Sequence, residues 1–161
     1  MGQQQLLLLV LGIVIVGLAV VAGINAFDEN QQKSSEDALT NEGFRLASDA
    51  KAWYNKPGQY DGGGNDPANI SELEWQDIGV QSGSLSDDNA ENLNGDYETP
   101  WGTISASTSS ETVEFSVTTN QGDGSSFGTV TFDPSLSAGE QIQFERSSSG
   151  GSGGGSSGGS S

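Results

Sequence analysis

Residues 6 to 24, LLLLVLGIVIVGLAVVAGI, are nineteen consecutive positions without a charged side chain. A run of this kind must be shielded from water by lipid or by other apolar helices, since each Å² left exposed forfeits ~25 cal/mol. As a helix it spans roughly 28 Å, about the hydrocarbon thickness of a bilayer. A cleavable secretory signal would carry Lys or Arg before a shorter apolar run. Here MGQQQ precedes it, and Ile24-Asn25-Ala26 offers only a weak cleavage site. A permanent single-pass anchor satisfies the same residues. Myristoylation of Gly2 is opposed by Leu6, which stands where that motif wants Ser or Thr.

The remaining chain limits the chemistry. Of 161 residues, 6 to 24 are apolar and 147 to 161 are only Ser and Gly, which leaves one small water-soluble head. It has 22 Asp plus Glu against 5 Lys plus Arg, a formal net charge of -17. Nucleic acid is therefore not an expected partner, because phosphate neutralisation needs a basic stripe. The acidity serves solubility or adaptation to high salt, where screening removes self-repulsion. No Cys is present, which excludes disulfides, thiol nucleophiles and Cys-ligated metals. No His is present either, so a triad lacks its usual base. Near pairs of acids such as Glu72 with Glu74, Asp87 with Asp88 and Glu111 with Glu114 arise by chance in so acidic a chain and read as solvated faces. A non-catalytic role without a cofactor is expected.

Periodicity organises the middle of the chain. Leu39, Gly43, Leu46, Ala47, Ala50, Trp53 and Tyr54 recur on one helix face, opposed by Glu42, Arg45, Asp49 and Lys56, and Pro57-Gly58 closes the pattern. One helix is predicted from about residue 3 to about residue 55, apolar all round over 1–27 and amphipathic over 28–56. Gly12, Gly17 and Gly23 each cost ~1 kcal/mol of helix propensity. They serve either close helix–helix approach or local unwinding of the helix in a polymer, centred on Gly17. Residues 57 to 69 read as a loop. Leu73, Trp75, Ile78 and Val80 give a segment of no definite state, and 81 to 96 an exposed acidic loop.

Alternation then marks four strands: Tyr97 to Thr103, Val113 to Val117, Val130 with Phe132, and Ile142 with Phe144. Turn clusters lie at 107–110, 120–126 and 133–139. The expected fold class is α+β: a long helix packed against a small antiparallel β-meander head over 57–146, with Leu46, Ala50, Trp53 and Tyr54 beneath Phe115, Val117, Phe132 and Phe144.

Modification and metal signals are weak. Asn69-Ile70-Ser71 is an Asn-X-Ser sequon. The tail 147–161, including Ser147, Ser148, Ser149 and Ser152, offers clustered hydroxyls for O-glycans, or is a flexible linker. Gly62-Gly63-Gly64 lacks the Lys and Ser/Thr of a phosphate loop. The stretches Asp61 to Asp66 and Asp123-Gly124 hold hard oxygen ligands that would suit Ca2+, without EF-hand spacing.

With its short polar start, unbroken apolar helix from Leu6, amphipathic continuation to Tyr54, Gly-rich loop and β-meander, the chain resembles type IV pilins and their relatives. The segment DALTNEGFRLASDAKAWYNKPGQYDGGG is similar to pilin-like proteins of the Bacteroidetes and neighbouring phyla. This resemblance implies a precursor inserted in the cytoplasmic membrane, trimming by a prepilin peptidase, and an ATPase-driven assembly machinery that builds an extracellular helical homopolymer. The polymer contacts would come from Gln5, Leu6, Leu9, Gly12, Ile13, Val14, Val16, Gly17, Val20 and Ile24. Such families place a glutamate five residues into the mature chain. Gln5 occupies that place if Met1 is the mature start, and Leu7 if Gly2 ends a leader. The implied function is a filament subunit for adhesion, motility or matrix. The alternatives are a pseudopilin of a secretion system or a single-pass anchored surface binding domain.

Overall fold

A computed structural model describes residues 2–86, 93–109, 111–120, 124 and 126–147. Helix α1, Gly2–Asn55, runs unbroken for 54 residues, or ~80 Å. It passes through Gly12, Gly17 and Gly23 without interruption in the single chain. Its buried residues are Ser35, Leu39, Gly43, Leu46, Ala47, Ala50, Trp53 and Tyr54. The amphipathic half therefore begins to pack at Ser35, and residues 28–34 stay exposed as a neck.

The helix end is satisfied from an unexpected direction. Pro57 stops the helix, and the loop that follows folds back so that Gly63 N, Asn65 N and Gly64 N donate to the carbonyls of Trp53, Tyr54 and Lys56. These are the acceptors that a helix terminus leaves open. A side chain at Gly62 would overlap the Lys56 carbonyl, so the glycine run is a requirement of the cap. Asp61, Gly64 and Asn65 supply the left-handed backbone of this return.

Residues 58–85 form three short 3-10 turns, Gly58–Tyr60, Pro67–Glu72 and Ser82–Ser84, linked by irregular backbone. The sequence assigned them no state, yet Ile70, Leu73, Trp75, Ile78 and Val80 are all within 3% of complete burial. Leu93, expected in an exposed loop, is buried as well. Asp66 caps the second turn by accepting from Ala68 N.

The sheet has five antiparallel strands in sequential order: β1 Asp96–Thr99, β2 Gly102–Thr108, β3 Val113–Thr119, β4 Ser126–Phe132 and β5 Ile142–Arg146. The expected first strand is two. Pro100 and Trp101 form a turn in which the Thr99 hydroxyl donates to Gly102 O and accepts from Gly102 N, so β1 folds back on β2. Trp101 is left 47% exposed at the tip. Ser107 and Thr108, expected in a turn, belong to β2, and the chain reverses between Ser109 and Thr112. Alternation sets the inner face: Ile104 pairs with Val117, Phe115 with Val130 and Val113 with Phe132.

Helix and sheet share one core. Tyr54 meets Phe132 edge-on at 5.8 Å, while Phe115 faces Trp75 at 6.3 Å. Two of the expected residues have further neighbours outside the sheet's inner face. Trp53 packs its ring edge against the Gly63 loop. Phe144 lies at the sheet margin against Phe44, 6.2 Å away.

Candidate assembly surface

The molecule divides into a bare rod and a packed head. Every residue from 2 to 34 is exposed, and the large aliphatic side chains between Leu6 and Ile24 show 52% to 70% of their surface. An isolated helix already covers some of each side chain, so these values mean that nothing else touches them. Gln5, Leu6, Leu9, Gly12, Ile13, Val14, Val16, Gly17, Val20 and Ile24 all lie on this rod. Gly12, Gly17 and Gly23 have open space where a Cβ would stand. Gln3, Leu6, Leu7, Val10, Leu11 and Val14 outline one shallow apolar groove along it. The stretch is long and apolar enough to cross a membrane.

The head begins with an ionic girdle. Arg45 donates from Nε and Nη2 to Glu42 Oε1 at 3.0 and 2.7 Å, and from Nη1 to Asp49 at 2.9 Å. The Tyr97 hydroxyl of β1 donates to the same Glu42 oxygen at 3.2 Å, which fastens the sheet edge to the helix. The hydrogen bond to Glu42 holds the Arg45 guanidinium above its ordinary value. Burial, and then the Glu42 charge, push the Tyr97 phenol up. Arg146 of β5 reaches Glu36 at 2.6 Å, and Lys51 donates to Ala138 O at 3.0 Å. Polar links thus bind the helix to both sheet margins.

The candidate modification and metal residues scatter. Asn69 is half-buried and its amide nitrogen, the atom a glycan would occupy, donates to Gly63 O at 3.1 Å. Its evident work is to hold the helix-capping loop. Ser147 is exposed, with its backbone N–H extending the sheet by donating to Phe127 O. Ser148, Ser149 and Ser152 lie outside the described residues, as does Asp123. Asp66 is spent on its cap. Among the described residues no group of three or more acids converges as a metal site.

No family model, curated protein or solved structure matches the chain.

Proposed function

We propose that this chain is the structural subunit of an extracellular filament of the type IV pilus kind, polymerised through its apolar helix. The observation that carries this reading is that one continuous helix is both the bare rod and the spine of the head. A flexible linker would serve a lone anchor equally well, and an anchor does not need its helix to run on beneath a sheet. A polymer does, because rigid continuity lets the packing of rods dictate where heads lie. Fourteen large aliphatic side chains line residues 6–24, and full burial of each stabilises by ~1.5–3 kcal/mol. Partial burial against neighbours exceeds the association cost of ~4–15 kcal/mol. The precursor would rest in the cytoplasmic membrane and be processed and assembled by the peptidase and machinery that the resemblance implies. A pseudopilus is the nearest relative of this reading.

Cells producing the chain should shed helical fibres containing it when sheared, visible by electron microscopy of the supernatant. Val14→Asp should remove those fibres by burying an unpaired charge. Normal fibre yield from Val14→Asp would sink the proposal. Chain that stays wholly with the membrane would favour the anchored binding domain.

A further inference from the structure

Of the ten asparagines in the chain, only Asn94 is followed by glycine. The pairing has a chemical consequence, because the backbone nitrogen after an asparagine can attack its side-chain amide carbon, and a residue without a Cβ leaves that close approach open. The fold restrains the other described asparagines. Asn25, Asn30 and Asn41 lie within α1, where helical hydrogen bonds fix the following N–H. Lys56 N, after Asn55, donates to Trp53 O, and Asp66 N, after Asn65, donates to Gly63 O. Asn69 precedes Ile70, which is β-branched and buried. Asn94 differs in each respect. It is exposed, the ladder of β1 with β2 begins one residue beyond Gly95, at Asp96, and among the described residues no hydrogen bond takes the Gly95 N–H.

We infer that Asn94–Gly95 is a self-modifying site, converting without an enzyme to aspartate and isoaspartate through a succinimide, and that the isoaspartate form loosens the head. Gly95 N bonds to Asn94 Cγ, the Cγ–Nδ2 bond breaks, and the Gly95 proton leaves with the departing ammonia. Water then opens the ring at either carbonyl. Addition at Cγ restores the backbone and leaves aspartate. Addition at the main-chain carbon leaves the chain running through Cβ and Cγ, one atom longer. In both cases one water is taken up, one ammonia is lost and one negative charge is gained. The longer product disturbs the core. The Asn94 carbonyl accepts the Trp75 indole N–H at 3.1 Å, and Trp75 is fully buried. In isoaspartate that carbonyl carbon belongs to a carboxylate off the main chain. The extra atom falls between Leu93, which is buried, and Asp96, which is tied to Ser86. A buried donor that loses its acceptor is costly. The head therefore carries a chemical timer that needs no partner and does not depend on assembly.

The test keeps the full chain, in detergent, in buffered 18O-water and follows its peptides by mass spectrometry over time. Residue 94 should take up 18O severalfold faster than any other asparagine, and an isoaspartyl methyltransferase should label the aged chain at that residue. Asn94→Gln keeps the main-chain acceptor of Trp75 but closes a ring far more slowly, so it should take up no 18O at this position over the same period. The aged native chain should show a second thermal transition below that of fresh chain, with an amplitude that follows the isoaspartate fraction. Aged Asn94→Gln should melt as it does when fresh. Uptake at residue 94 no faster than at the other asparagines would overturn the self-modifying site. An isoaspartate fraction that melts together with fresh chain would overturn its loosening of the head.

Discussion

Gly102 and Gly43 bring backbone and core into close approach from the two sides of the helix–sheet interface. A methyl group at Gly102 would overlap the Thr118 carbonyl and crowd Thr119 Cα at 2.9 Å, and neither can move without breaking the β2–β3 ladder. At Gly43 the obstacle is Val130 Cγ2 at 2.9 Å, a side-chain atom, and alanine there gains up to ~1 kcal/mol of helix propensity. Gly102→Ala should therefore cost ~1–3 kcal/mol, and Gly43→Ala less, as read by chemical denaturation of the detergent-solubilised chain. The reverse order would show that the helix, rather than the sheet, sets the closest approach. Tyr97 gives a second expectation. Its folded phenol titrates above the ordinary value of 10.0, so its contribution is complete below that pH and is lost as pH rises through the folded value. Tyr97→Phe should flatten the alkaline fall in melting temperature, and an unaltered alkaline limb would remove Tyr97 from its cause.

Among the elements, α1 was the most legible in sequence, because an apolar run and a face of regular spacing fall in one stretch without an internal Pro. The strands were half legible. Alternation at Val113, Phe115 and Val117 reports directly on a sheet with one buried face. The same alternation from Tyr97 to Thr103 conceals a reversal, since Thr99 and Gly102 close a turn around Pro100 that period-2 counting passes over. Residues 58–85 were illegible for a different reason. Irregular backbone has no repeat, so Ile70, Leu73, Trp75, Ile78 and Val80 reach the core at uneven intervals. The signal that would have found them is composition: four large aliphatics and a tryptophan in eleven positions have to be covered somewhere. Trp75 is fully buried, with its indole N–H donating to Asn94 O. Trp75→Ala should cost ~3–5 kcal/mol. Trp53→Ala, at the margin against the Gly63 loop, should cost less and expose that loop to protease. Equal losses in thermal unfolding would mean that the loop is as much core as the sheet.

At the scale of the whole molecule, an uncharged apolar stretch, residues 2–27, is divided from a neck and head that hold all the charge, and in the proposed filament the division separates two tasks. The rod offers non-directional attraction proportional to buried area, and the head offers direction and solubility. The exposed apolar block was legible because hydrophobicity over 6–24 is a bulk property. Which of its residues would meet in the proposed filament was not, since a helix bare on every side gives no azimuthal preference in a single chain.

The neck, residues 28–34, is polar helix exposed to solvent throughout. Seven residues lift the head by about 10 Å, slightly more than the Debye length at physiological salt. With the rod in a bilayer, the head's charge is thus held about one screening length above an anionic headgroup plane, which weakens the repulsion to about a third. Excising 28–34 removes almost two whole turns, so the head keeps its azimuth and loses only its height. The shortened chain should still insert into neutral vesicles, but should float with anionic vesicles only in high salt, where the native chain floats at physiological salt as well. If the rod enters a bilayer as proposed, the neck acts as a spacer that sets the head's height against the screening length of the medium.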